Sequence, residues 1–568
     1  APGPVAMNDP SEEARAVAAE VARRRCFFHW ELEFPDVFVA PGAGFDAVVA
    51  NPPWETLQPQ SKEFFSDLDP MYRSYGKQEA LARQRELFAD DKSVEDRWLD
   101  HLGGFRDIAN FVRFAAEPYG DVLNDKGAAL VGLVPRKASA TKEMHQHWLT
   151  LRAERTGLSE PKHAFIHQGD GKPYSYKLFV EQAHALLKPG GQFGVITPGG
   201  IYTDQGAIDL RRLLLERCEW RWLYGFENRD RVFDIHRSFK FAITVASKGG
   251  RTVTMQAAFM RHESDDWGQA KGALTLAAET IRSLSPKSMA LLEIRTARDL
   301  DVLIRMYSSS VLLGADGSGG WGVKYAQGDF NMTSDSKLFI GREKAEAAGY
   351  RVDDYGRWVG PEGDVLLPLY EGRMIGQFDF SRKGWVSGKG RTAVWRDIGW
   401  DKKVIEPQFV VRSSDYHEQR PDTADRARVV LMDVASATNA RTMSATALSN
   451  LPCGNSAPIL LTDESTLALS AVLNSYAYDF AARARCGGLH LNYFVVEETP
   501  LIRPSTPPVL ARLTAQLNWS PPLAPLLLEA FTEQPGRAAL TSHERLRIRC
   551  ILDAIVAALY GLTRDDFR

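Results

Sequence analysis

Asn51, Pro52, Pro53 and Trp54 follow directly on the apolar run "FDAVVA" at 45–50. Two consecutive prolines remove two backbone donors and fix two φ angles, and the first biases Asn51 towards an extended conformation. Such a segment holds a few polar atoms rigidly at the end of a strand. The chemistry that suits it involves a weakly nucleophilic amine. The exocyclic nitrogen of a nucleobase has its lone pair delocalised into the ring. An amide oxygen on Asn51 and the carbonyl of Pro52 can each accept one N–H from it and localise that lone pair in the transition state. Pro52 and Pro53 supply the rigidity, since a misplacement of ~1 Å can cost about 100-fold in rate. Trp54 offers a stacking face for a base taken out of its helix. The same tetrapeptide also reads as a plain turn with Trp54 packed into the core.

The elements that would position these residues are legible in part. A helix is expected over 11–25, capped by Asp9 or Ser11, then a Gly/Pro loop leading into the strand at 45–50. Residues 60–120 are charged and helical in pattern, and "GAALVGLVP" at 127–135 reads as a strand or a buried turn. From 174 the order is an amphipathic helix, "KPGG" as its terminator, the strand "QFGVITP", a helix over 204–218, and the strands "EWRWLYGF" and "FKFAITVAS". That alternation predicts an α/β layer with a central sheet, its last pair of strands forming an antiparallel edge. Beyond about 290, short strands and Gly/Trp-rich turns dominate. They are interrupted by one helix over 465–488 and followed by a Pro-rich linker at 499–509 and a terminal helical segment at 540–561.

The chain has 568 residues, 44% apolar and 25% charged, with a formal net charge of −3. Its length suits two to four domains. Nucleic-acid binding would have to come from a local basic patch. Five cysteines without a CxxC pair argue against a disulfide framework and structural zinc, and suit a reducing cytoplasm. No apolar run is long enough for a membrane span, and the N-terminal stretch has no apolar signal-peptide core. His29, His163, His167 and His236 lack metal-ligand spacing, so no metal site is expected.

The tetrapeptide after "FDAVVA" resembles motif IV of the gamma-type, S-adenosylmethionine-dependent adenine-N6 DNA methyltransferases. "HWELEFPDVF" upstream is similar to the lead-in of large members of that family. The stretch from "HQGDGKPYSYKLFVEQ" to "AIDLRRLL" resembles their next strand and helix, and "RVFDIHRSFKFAITVAS" resembles motif VIII. The resemblance implies that Trp54 and Phe233 sandwich a flipped adenine while Asn51 and Pro52 hold its amine. "PLYEGRMIGQFDF", "DVASATNARTMSATAL" and "LNSYAYDFAARARCGGLHLNYFVVEETPL" look like the target-recognition domain of the large methylases of type IIG restriction–modification and of BREX and DISARM phage defence.

What the family places before motif IV is a strand, a Gly-rich turn and a helix that seat the cofactor. The 50 residues before Asn51 contain none. "RCGGLHLN" and "PCGNSAP" read as a helix cap and a loop. The S-adenosylmethionine pocket is therefore expected to be completed by an upstream segment or a partner subunit.

Residues 382–403 hold seven Lys/Arg against two acids, with three tryptophans interleaved, a pattern that suits phosphate contacts and stacking or an anchored solvated loop. Arg373, Lys383, Lys389, Arg391, Arg396 and Arg441 are the candidate DNA contacts, arginine being the commonest reader of guanine edges. No acid-x-Lys nuclease pattern accompanies "PEGDVLLPLYEGR". The expectation is an incomplete Rossmann-like methyltransferase domain over 1–290, with a helical insertion at about 60–160. A mixed α+β target-recognition domain follows over 291–505, and a helical segment over 506–568. The expected partners are double-stranded DNA and other defence-system proteins. A non-catalytic recognition subunit of such a complex is the alternative.

Overall fold

The computed structural model describes residues 12–40, 42–114, 165–169, 172–262, 272–315, 319–531 and 537–567. The stretch at 127–135, and Asp9 and Ser11 as helix caps, lie outside the described residues. The first half is built on six strands: β1 (Phe45–Ala50), β2 (Leu187–Pro198), β3 (Cys218–Glu227), β4 (Lys240–Lys248), β5 (Thr254–Arg261) and β6 (Leu274–Ala277). They form one mixed sheet in the order β1-β2-β4-β3-β5-β6. β1 runs parallel to β2 and β3 parallel to β5, while β4 is antiparallel to both of its neighbours.

The pair expected at an antiparallel edge is instead interior, with β4 lying between β2 and β3. The reason is its composition: "FKFAITVAS" is apolar on consecutive positions, and such a strand is buried on both faces. The "KPGG" stretch does not terminate a helix. The chain is already extended at Leu187, and 188–191 bulge out of β2, so that Phe45 pairs with Leu187 but Ala47 with Gln192.

The helices α1 (Glu12–Arg25), α2 (Lys77–Asp90) and α3 (Lys92–Phe114) precede β2 in the chain, and the latter two occupy the expected helical insertion. Next come α4 (Ser175–Leu186) and α5 (Ile208–Glu216). Tyr176 and Val180 of α4 and Leu210, Leu213 and Leu214 of α5 pack with Phe193, Val195 and Leu223 of the sheet. On the outer side of β1 no strand pairs with it among the described residues, and Val49 is 89% exposed. Parallel strands are normally covered on both faces; Phe45, Val48 and Ala50 pack on the sheet core, while Val49 leaves one side bare.

The second half contains a five-stranded and a four-stranded antiparallel sheet and a two-stranded ribbon, β7 (Lys383–Ser387) with β8 (Val394–Asp397). The single helix expected over 465–488 is two, α6 (Thr466–Leu473) and α7 (Tyr476–Arg485). Ser475 breaks it by accepting the N–H of Tyr478 as an N-cap, and Asn474 turns its amide to both main-chain groups of Ala445. The expected linker at 499–509 is anchored: Pro500–Leu501 pairs with Val311–Leu312, and Leu501 and Ile502 are buried. The terminal helices α8 (Val509–Leu517) and α9 (Ser542–Leu559) place Leu510, Leu517, Leu552 and Val556 in one core with Leu469, Val472 and Tyr478.

The halves meet at Glu293. Its carboxylate accepts from Tyr202 Oη at 2.9 Å and Lys240 Nζ at 2.6 Å, and its N–H donates to the carbonyl of Ala484 on α7.

Candidate functional site

The parallel register of β1 on β2 sets Ala50 opposite Val195, so the chain leaves the sheet at Asn51 beside Ile196. Asn51 is exposed, and its amide has no hydrogen-bond partner among the described residues, which leaves its oxygen available as an acceptor. Pro52 is buried and Pro53 exposed, which anchors the ledge on one side. Residues 55–57 are then tied down, because Glu55 accepts the N–H of Ser175 and Leu57 donates to Pro173. In open α/β sheets, ligands bind just outside the carboxyl ends of the strands, and Asn51 occupies that place.

Trp54 turns back over the sheet. Its Nε1 donates to the carbonyl of Ile196 at 3.4 Å. Its ring stacks on Phe239 at 5.6 Å between centroids with an interplanar angle of 9°. It meets Phe233 edge to face at 4.9 Å and 63°. Phe233 also stands perpendicular to Phe241 at 5.0 Å. The two rings assigned to grip a base are thus brought together, and they touch each other. Two stacking contacts of about 3.5 Å each need roughly 7 Å between parallel rings, so a base enters only if one ring moves aside.

Phe233 sits on the loop joining β3 to β4, and Asn228 shapes that loop. The Asn228 amide donates through Nδ2 to the carbonyls of Phe233 at 2.9 Å, Ile235 at 3.1 Å and His236 at 3.4 Å. Its Oδ1 accepts the N–H of Phe233 at 3.0 Å. Both main-chain polar groups of Phe233 are held by one buried side chain. Phe239, Phe241 and Asn228 were not legible as site residues: in sequence, Asn228 is one polar residue in the charged loop "ENRDRVFDIHRS".

Residues 165–169 are pinned to α4. Glu181 accepts the N–H groups of Ile166 and His167, and Lys177 donates to the carbonyls of Gln168 and Gly206 at 2.9 and 2.8 Å. Burial pushes the Lys177 ammonium down to about 8 and raises the Glu181 carboxyl.

The basic residues of the second half are dispersed. Arg373 is exposed, 5.9 Å from the Trp395 ring centroid. Lys383 begins β7 half-buried, and Lys389 is exposed in the ribbon turn, while the Arg391 side chain lies outside the described residues. Arg396 is engaged by a two-point fork on Glu406, with Nε to Oε2 at 2.9 Å and Nη2 to Oε1 at 2.5 Å. Arg441 lies 3.5 Å from the Tyr476 ring centroid and 4.0 Å from Asp553. The tryptophans of 382–403 act as anchors: Trp385 is 7% exposed, and Trp400 lies between Arg545 and Lys403.

Among the described residues no glycine-rich strand–turn–helix flanks β1, and no cluster of His, Cys, Asp or Glu has metal-binding geometry. The residues described do not by themselves form a seat for S-adenosylmethionine. No helix among them is long and apolar enough to cross a membrane.

Residues 155–233 match the family model described as Eco57I restriction-modification methylase. Over that stretch the chain is similar to restriction–modification methylases. The stretch ends on Phe233, the residue in contact with Trp54. No curated protein matches the chain. Among solved structures, the type IIL restriction-modification enzyme MmeI in complex with DNA is 10% identical with a TM-score of 0.36, over 69% of this chain and 50% of that one. The type IIG restriction endonuclease BpuSI is 13% identical with a TM-score of 0.26, over 78% and 54%. A modification subunit of a putative type I restriction enzyme from Vibrio vulnificus YJ016 is 14% identical with a TM-score of 0.17, over 19% and 28%. The chain thus spans about half the length of the first two and just over a quarter of the third. At these scores the likenesses define neither the fold of the whole chain nor its activity.

Proposed function

We propose that this chain is the base-gripping and target-recognising part of a site-specific DNA adenine-N6 methyltransferase of a restriction–modification or phage-defence system. The observation that carries the reading is the Asn51–Trp54 ledge at the carboxyl end of β1, faced by Phe233 on the loop that Asn228 holds. The Asn51 amide oxygen and the Pro52 carbonyl accept the two N–H groups of an adenine amine and direct its lone pair outward. Phe233 or Trp54 swings aside, and the two rings close on the faces of the base. S-adenosylmethionine supplies the methyl group, from a pocket completed by residues outside this chain, against the bare side of β1. The β7–β8 ribbon is of the size that a DNA major groove admits, with Lys389 at its turn and Arg373 beside it.

The test is methyl incorporation into DNA by the complete protein with and without Asn51→Ala. A fall of at least about 100-fold is expected for loss of a positioned transition-state acceptor. Full activity in the alanine enzyme would sink the mechanism.

A second reading is favoured by the lack of a cofactor seat among the described residues: a non-catalytic DNA-recognition subunit. Calorimetry separates the two. The methyltransferase reading expects the complete protein to bind S-adenosylmethionine, while the subunit reading expects duplex binding and no heat with that cofactor.

A further inference from the structure

At the root of the β7–β8 ribbon, where α9 packs on the recognition half, lies a cleft of about 620 Å³ whose lining includes Arg382, Arg441, Arg545 and Arg549. Asp379 is the one carboxylate in that lining, and it is already neutralised. Lys403 Nζ stands 2.8 and 2.9 Å from its two oxygens, and the N–H of Ser381 donates to it at 3.0 Å. The four guanidiniums are left short of anions. Arg545 is 6% exposed and bonded only to carbonyls, those of Leu517 at 2.7 Å, Phe378 at 3.2 Å and Ala539 at 3.4 Å. Arg549 donates once, to Gln377 Oε1 at 3.1 Å, and its Nε is buried without a partner. Arg441 has a buried Nη1 without a partner, and the nearest acid is Asp553 at 4.0 Å. Arg382 is exposed and makes no side-chain hydrogen bond or ion pair among the described residues. Ser542, in the first turn of the 18-residue α9, adds the positive end of a helix to the same lining.

Arg545 is the buried member of the four, and a buried cation without a counter-charge destabilises a protein unless an anion enters. Guanidinium forks match phosphate oxygens in geometry as well as charge. Trp400 already carries two cations on its ring, Arg545 at 3.3 Å and Lys403 at 4.5 Å from the centroid, so its π surface is engaged by charge rather than free for a base. We infer that the cleft is a phosphate seat. Its position favours the DNA backbone as the source: Arg382 directly precedes β7, Trp400 closely follows β8, and phosphates flank any groove the ribbon enters. This choice of source rests on the recognition reading above; methyl transfer plays no part in it. A free nucleotide carries the same chemistry and is the other source.

The experiment uses the full chain and the variants Arg382→Gln and Arg549→Gln, with melting curves to show that each is folded. Calorimetry with inorganic pyrophosphate is expected to show one site in the wild type, weakened about 10-fold in each variant. Anisotropy of a labelled duplex, titrated across salt concentrations, is expected to show a parallel loss, with the salt slope falling by about one per arginine. Should pyrophosphate binding weaken while duplex binding stays unchanged and ATP competes for the site, the seat stands with a nucleotide as its ligand. Absence of pyrophosphate binding in the wild type, or equal binding in all three proteins, overturns the proposal. Methyl-transfer activity is not measured in either arm, so the failure of one reading is distinguishable from the failure of the other.

Discussion

Asn228 holds both main-chain polar groups of Phe233 with one side chain, so in the proposed site it acts through that ring. Asn228→Ala removes those bonds, while the Phe233 carbonyl keeps the N–H of Ile235, at a cost of about 0.5–1.5 kcal/mol. The expected outcome is a folded protein whose binding of duplex carrying 2-aminopurine at the target gives a smaller fluorescence rise, because Phe233 no longer closes on the base. An undiminished rise in the alanine variant would show that the loop needs no such anchor. Residues of this kind explain why only part of the site was legible. Asn51 to Trp54 announce themselves, since two prolines after an apolar run have few structural uses. Asn228 acts through bonds to its own loop, and nothing in its neighbours' types marks it. Arg396 shows what spacing leaves out: its charge and setting suit a phosphate contact, and Glu406, ten positions on, engages its fork.

At the level of elements, strands and helices with a consistent period were legible, and their ends and neighbours were not. "FKFAITVAS" identified a strand, while its place between β2 and β3 depends on partners far away in sequence. The break between α6 and α7 depends on Asn474 finding Ala445 across the core. The bare side of β1 makes a sharp prediction. Val49→Asp, at a position 89% exposed, is expected to change this chain's stability by no more than about 0.5 kcal/mol. On the methyltransferase reading proposed above, the same change in the complete protein should weaken S-adenosylmethionine binding, measured by calorimetry. Equal cofactor affinity in both proteins would separate Val49 from the cofactor pocket. A second element, the turn at 372–374, carries a pH signature. Burial pushes the Glu371 carboxyl from 4.5 up to about 7, partly opposed by Arg373. Between those values the folded protein holds this proton more tightly than the unfolded chain does, so the contribution of Glu371 to stability falls as pH rises from 4.5 to about 7. Glu371→Gln should therefore stabilise the protein at pH 8 and flatten that slope, read from urea midpoints across the range. An unchanged slope would remove Glu371 as its source.

Across the whole molecule, the two halves share side chains rather than a flexible joint. Lys240 and Glu293, 12% and 3% exposed in their side chains, tie the start of β4 to the segment packed on α7. Glu293→Gln leaves the Lys240 ammonium without its counter-charge and is expected to destabilise the protein by on the order of 3 kcal/mol in denaturant titrations. A change below the error of the titration would mean that the pair contributes nothing. This joint was invisible in sequence, because its partners lie 53 positions apart and Glu293 belongs to no motif. Lys240 lies between Phe239 and Phe241, the rings around Trp54, so the second half borders the Trp54 cluster directly. That adjacency gives the closed contact of Trp54 with Phe233 a further meaning. Separating an aromatic pair takes roughly 0.5–1.5 kcal/mol, which lowers the occupancy of any entering base by roughly 2- to 13-fold. The penalty is identical for every DNA sequence, so it filters by total binding strength. On the reading proposed above, a DNA site that engages the second half fully overcomes it, and one that engages it weakly stays outside a grip that rests shut.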